Sequence, residues 1–193
     1  MNRIGIAVVL LALAGRAAAA QRVLTAEVLV PAPVDRVWAA WTTNEGIATF
    51  FAPSGKVDLR VDGAYSVYFN PEAKPGERGA ENMRIVALDP MKRFAFTWSA
   101  PTSIPSVRSQ RTIVTLDFAP AGEQTRLTFT QWGWGEGADW DKAYDYFDNA
   151  WGRIVLPRLV ERFKSGPVDW KYADMPTPLE GSMKKALAEA DQR

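Results

Sequence analysis

Hydrophobic and polar positions alternate through most of this chain, then change period near its end. The segment RVLTAEVLV (22–30) alternates as a strand does, and Pro31 and Pro33 close it. Pro33 suits the first turn of a helix, and Val34, Val37, Trp38 and Trp41 then fall at helical spacing. A second short helix is predicted over about 43–51, capped by Thr43 and broken by Pro53, Ser54 and Gly55. Six strands follow: Lys56–Val61, Tyr65–Phe69, Met83–Leu88, one around Phe94, Phe96 and Trp98, one around Val114, Leu116 and Phe118, and one around Leu127 and Phe129. Turn residues separate them: Asp62-Gly63, the polar loop NPEAKPGERG (70–79), Asp89-Pro90, a loop from Pro101 to Pro105, and Ala121-Gly122. Each strand has one apolar face, so the pattern predicts an antiparallel sheet covered on one side. The period then lengthens. Trp140, Tyr144, Phe147, Trp151, Ile154 or Val155, Leu159 and Phe163 mark one amphipathic helix over about 138–164, with a kink expected at Pro157. Gly166-Pro167 ends it. The rest, 166–193, reads as a tail with a short helix over 179–190, supported by Glu180 and Lys184.

These elements predict an α+β domain over 21–165, in which a curved antiparallel sheet grips a long C-terminal helix and two short helices follow the first strand. A curved sheet around a helix leaves space between them, a natural ligand cavity.

The first twenty residues have another character. Arg3 gives a short positive start, Ile4–Ala14 is apolar, and Ala18-x-Ala20 fits a small-residue cleavage site. Residues 1–20 are therefore expected to be a secretory signal peptide, cleaved after Ala20 and too short for a stable membrane span. The expected location is the periplasm or the cell exterior.

Composition narrows the chemistry. The 193 residues include neither Cys nor His. This excludes disulfides, thiolate or imidazole metal sites, cysteine nucleophiles and Ser-His-Asp triads. With 23 basic and 22 acidic residues, the net charge of +1 gives no reason to propose a nucleic acid or an anionic membrane as partner. Aromatic residues are plentiful, with eight Trp, nine Phe and five Tyr. No cofactor is implied, and a monomer or weak homodimer is expected.

Five segments together resemble a known superfamily: VPAPVDRVWAAWTTNEGIATFFAP (30–53), VDGAYSVYF (61–69), IVALDPMKRFAFTW (85–98), TIVTLDF with TRLTFTQWGWGEG (112–137), and AYDYFDNAWGRIVLPRL (143–159). In this order they resemble the START-like, or SRPBCC, proteins of helix-grip fold, which include the birch-pollen-allergen-like proteins. They are most similar to the family named after the activator of the heat-shock-protein-90 ATPase. The resemblance implies the helix-grip fold and a hydrophobic cavity. It implies no single activity, because members bind or transform many lipids and polycyclic compounds. The family often has two glycines where this chain has Gly63-Ala64.

The candidate ligand-binding residues are Phe50, Phe51, Tyr65, Val67, Phe69, Phe96, Trp98, Val114, Leu116, Leu127, Phe129, Trp132, Trp134, Tyr144, Phe147 and Trp151. Ordinary core packing competes with a binding role at each. If Trp151 borders a cavity, its truncation to Ala should cost only about 1–3 kcal/mol, because an existing void is enlarged. QWGWGEGADW (131–140) reads either as a flexible aromatic lip or as a tight turn whose indoles plug the core. Asp139, Asp141, Asp145 and Asp148 read as a solvated helix start or a hard-cation site, and no metal ligand is assigned among them. Arg108, Arg111 and Arg126 could hold an anionic group, against the ordinary reading of exposed strand arginines.

The leading expectation is an exported, non-enzymatic protein holding a small hydrophobic molecule: a lipid, an isoprenoid or an aromatic compound. The alternative is an enzyme like the polyketide cyclases and aromatases, with Tyr65, Tyr146, Arg84 or Asn82 moving protons or polarising a carbonyl. A co-chaperone-like interaction module ranks third. No residue is assigned as catalytic.

Overall fold

Seven strands form one antiparallel sheet in the order β1-β7-β6-β5-β4-β3-β2 in the computed structural model, which describes residues 21–171. The signal peptide expected over 1–20 and the helix expected over 179–190 lie outside the described residues. Strand β1 spans Leu24–Val30, and helices α1 (Val34–Thr42) and α2 (Asn44–Ala48) follow it. The remaining strands are β2 (Ser54–Val57), β3 (Ala64–Tyr68), β4 (Gly79–Asp89), β5 (Arg93–Trp98), β6 (Thr112–Ala121) and β7 (Gln124–Trp132).

Local chemistry explains these boundaries. Pro33 stands at the cap of α1, where its missing N–H costs nothing. The Thr43 hydroxyl caps α2 by accepting from the Gly46 N–H at 2.9 Å. β2 lies earlier than the sequence pattern predicts. Asp58 to Gly63 is a connection and not a strand end, because the Asp58 N–H donates to Ala64 O and the Gly63 N–H to Arg60 O. Asp62 takes the left-handed conformation there, at φ 61°. β4 begins four residues earlier than predicted and has irregular register against both neighbours. Asn82 has φ 60° within it, the local cost of a bulge. A one-turn helix α3, Pro105–Arg108, starts at the end of the loop expected over Pro101 to Pro105, in a stretch where no helix is predicted.

The long C-terminal helix has three parts. Helix α4 spans Ala138–Asn149, a π-helical segment spans Ala150–Val155, and helix α5 spans Leu156–Ser165. This wider turn interrupts the helix just before Pro157, the position where the sequence predicts a kink. Pro157 occupies the first turn of α5, and the Leu156 N–H reaches Trp151 O, five residues back. Gly152 lies on the exposed side of the wide turn, and a Cβ there would meet open space. Gly152→Ala is expected to stabilise the protein by about 0.5–1 kcal/mol, through helix propensity alone. A rise in the thermal midpoint checks this.

The core is an aromatic lattice between sheet and helices. Trp41 meets Phe50 and Phe51 edge-on, with ring centroids 4.9 and 5.2 Å apart. Tyr65, Phe94 and Phe96 continue it across β3 and β5. Past the helix, the Val168 N–H donates to Thr49 O, and the Trp170 indole donates to Ala48 O at 2.6 Å. The first residues of the expected tail are thereby docked on α2.

Candidate functional site

A cavity of about 550 Å³ opens at one end of the sheet, beside the helix. Its wall is aromatic. Phe51 follows α2, Phe69 follows β3, Trp98 ends β5, and Phe147, Ala150, Trp151 and Val155 come from α4 and the π segment. The wide turn presents Ala150, Trp151 and Val155 to the same space. Its mouth is polar and built by two loops, with Asn70, Glu77, Arg78 and Gly79 on one side and Ser99 to Ser103 on the other. Arg108 and Tyr146 complete it.

One buried polar chain fixes the back wall. The Trp151 indole N–H donates to Gln131 Oε1 at 2.8 Å. Gln131 Nε2 donates to Thr112 Oγ1 at 2.8 Å, and that hydroxyl donates to Trp98 O at 3.3 Å. Gln131 is fully buried, so both ends of its amide need partners and have them. The chain ties the two cavity tryptophans, 5.5 Å apart, to the centre of the sheet.

Of the sixteen residues expected from sequence, Phe51, Phe69, Trp98, Phe147 and Trp151 line the cavity. Phe50, Tyr65, Val67, Phe96, Val114, Leu116, Leu127 and Phe129 are buried in the core and do not line it. The helix rests directly on the β7 side of the sheet, where Phe129 meets Trp151 at 4.8 Å, so no space remains there. Trp134 is buried edge-on to Trp140 and donates to Gln131 O. Tyr144 lies under Arg22, whose guanidinium carbon is 5.0 Å from the ring centre. Trp132 is exposed on the outer face.

The glycine-rich segment therefore packs as a plug. A Cβ on Gly135 would stand 2.1 Å from the Trp140 indole nitrogen, so this glycine makes room for the ring. Gly133 and Gly137 supply positive φ, 88° and 103°.

Three of the four residues weighed for proton transfer lie elsewhere. The Tyr65 hydroxyl is buried, donates to Trp41 O at 3.1 Å, and is held neutral by a pKa that burial pushes far up. Asn82 and Arg84 are exposed, and Arg84 donates to Asp62 O. Tyr146 does line the cavity, and burial raises its pKa, so it stays a neutral hydrogen-bond donor.

The charged candidates also separate. Arg126 pairs with Glu27 at 3.2 Å, away from the cavity. Arg78 pairs with buried Glu81 at 2.7 Å and lies over the Tyr68 ring. Arg108 donates to Ala100 O, Gly76 O and Gly79 O, and burial lowers its pKa against the opposing pull of Glu81. Arg111 is lowered by burial and by Arg108 beside it.

Asp141 pairs with Arg22, and Asp139 accepts from Ser106 and Lys142, while Asp145 and Asp148 face solvent. The Ser106 hydrogen bond, then Lys142, holds the Asp139 pKa below the ordinary carboxylate value. This favours folding above the unfolded-state pKa, and the contribution is lost as pH falls through the depressed folded value. Ser106→Ala is expected to raise the Asp139 pKa. Carboxyl-carbon NMR titration reads it directly, and an unmoved titration would show that the bond has no effect.

Sequence reasoning missed Gln131 and most of the mouth. Gln131 sits in an alternating strand at a core position, where a polar residue signals a buried network. The mouth loops have no periodicity to read.

Residues 31–164 match the family of Activator of Hsp90 ATPase homolog 1-like proteins. The chain belongs to this family. Solved structures agree with the family's helix-grip fold. Protein MLL2253 from Mesorhizobium loti is 19% identical, with 76% of this chain and 100% of that chain covered and a TM-score of 0.60. CalU16 from Micromonospora echinospora is 21% identical, with 77% and 78% covered and a TM-score of 0.57. The Aha1 dimer from Colwellia psychrerythraea is 18% identical, with 75% and 98% covered and a TM-score of 0.58. No curated protein matches this sequence significantly. This chain's cavity combines an aromatic wall with a polar mouth.

Proposed function

We propose that this protein binds a small hydrophobic molecule, aromatic or isoprenoid in character, in the cavity between sheet and helix, after export to the periplasm or cell exterior. The observation that carries the reading is the 550 Å³ cavity walled by Phe51, Phe69, Trp98, Phe147 and Trp151. A space of this size suits one drug-sized ligand, and indole and phenyl faces suit a flat or branched apolar one. The test is mass spectrometry of organic extracts from protein purified from its own host, beside an Ala150→Trp variant that fills the cavity. One small apolar compound, recovered from the native protein and lost from the variant, supports the reading. Equal recovery from both, or none from either, overturns it. N-terminal sequencing of exported protein should begin at Gln21, and a start at Met1 would overturn the export.

Tyr146 favours a second reading, a cyclase-like reaction. It is a neutral phenol on the cavity wall, able to polarise a substrate carbonyl. An extracted compound that the fresh protein converts further would favour it.

A further inference from the structure

The mouth of the cavity has a chemistry distinct from its wall. Arg108 stands between the two mouth loops. Nη2 donates to Gly76 O at 2.9 Å and to Gly79 O at 2.8 Å, and Nη1 donates to Ala100 O. A guanidinium carries five N–H donors, so Nε–H and one Nη1–H remain without a partner among the described residues. No carboxylate lies within ion-pair distance of Arg108 among those residues, and Arg78, the other cation of the mouth, is already matched by Glu81. Arg111 adds a second positive charge beside Arg108, and it too donates only to carbonyls, those of Arg108 and Gln110. Against them stands Glu77, on the exposed side of the mouth. Glu81 attracts Arg108 from beyond ion-pair distance but is already paired with Arg78, so the half-buried guanidinium is only partly compensated, and its planar fork suits the oxygens of a carboxylate or sulfonate.

We infer that the cavity selects a small amphiphilic acid, whose apolar body lies against Trp98 and Trp151 and whose anionic head is held at the mouth by Arg108. This rests on the binding function proposed above. The remaining donors of the carbonyl-tied guanidinium supply the selectivity, and the aromatic wall supplies the apolar affinity.

Two fluorescent probes test it, anilinonaphthalene sulfonate and phenylnaphthylamine. They share one aromatic body and differ by the sulfonate. The purified protein is expected to bind the sulfonate about tenfold more tightly, the size of one charge-assisted hydrogen bond. Arg108→Gln should bring the ratio of the two affinities close to one, and Arg108→Lys should keep part of it. Taking a ratio removes any general loosening of the mouth, which weakens both probes together. A ratio near one in the unmodified protein, or one that Arg108→Gln leaves unchanged, overturns the anionic selectivity and leaves the cavity reading standing. Failure of both probes to bind, or binding of both that Ala150→Trp does not reduce, overturns the cavity reading and the selectivity with it.

Discussion

Trp151→Ala is expected to lower the free energy of unfolding by about 3–5 kcal/mol, the range for a buried Trp truncated to Ala. Sequence alone suggested a smaller loss, because a residue bordering a cavity already has one open face. Trp151 does border the cavity, but only 3% of its surface is exposed, and its ring meets Phe129, Trp98 and Phe51 within 4.8–5.6 Å. Its indole N–H also satisfies Gln131, and removing it leaves a buried amide oxygen unpaired, at about 1–3 kcal/mol. Packing and hydrogen bond together outweigh the relief from the open face. Trp151→Phe isolates the second effect, since it keeps most of the apolar contact. A double-mutant cycle with Gln131→Leu, read by urea unfolding, should then show coupling. A loss below about 1 kcal/mol for Trp151→Ala would refute this account of the helix–sheet contact.

Gly46→Ala is the second large expected effect. A Cβ at Gly46 would lie 2.1 Å from Ala39 O and 2.7 Å from Ala40 Cα. Both are backbone atoms of α1, so no rotamer change relieves the clash. The helices must separate, at a cost near or above the top of the roughly 1–3 kcal/mol typical of overpacking. At about 2–4 °C per kcal/mol for a chain of this size, the thermal midpoint should fall by roughly 6–12 °C. Separation would also move Phe51, which follows α2 and forms one cavity wall, so phenylnaphthylamine affinity should fall with it. Gly152→Ala, with open space around it, is expected to move the midpoint the other way. Equal effects at the two glycines would show that contact geometry does not decide between them.

The alternating and helical periods were enough to read the seven strands, the two short helices and the long helix, because each buries one face. They could not place residues 58–63, where hydrogen bonds from Asp58 and Gly63 make a connection from a stretch that looks extended. Nor could they reveal the π segment, since a residue inserted into a helix shifts its phase without breaking the apolar pattern of Trp151, Val155 and Leu159. The cavity was legible as a consequence of the fold, but its extent was not. Periodicity marks Phe129 and Trp151 alike as inward-facing. Which inward residues meet each other and which meet empty space depends on how the helix tilts across the sheet. The mouth was the least legible part. Arg108 acts through three carbonyls from two loops, and carbonyls carry no sequence signal.

The sheet order has a consequence for how the molecule assembles. β1 pairs with β7 and no other strand, so Leu24 finds its partner Gln131 more than a hundred residues further along the chain. A ribosome adding about 5–20 residues per second needs roughly 5–20 s to supply that partner. For that interval the first strand, with apolar Leu24, Val28 and Val30, stays unsatisfied while β2 to β5 can already pair as local hairpins. Closing so long a loop is slow in refolding as well. The sheet order therefore leads to the expectation that β1, made before every other strand, is the last to pair, which pulse-labelled amide exchange during refolding would read as late protection of Leu24–Val30.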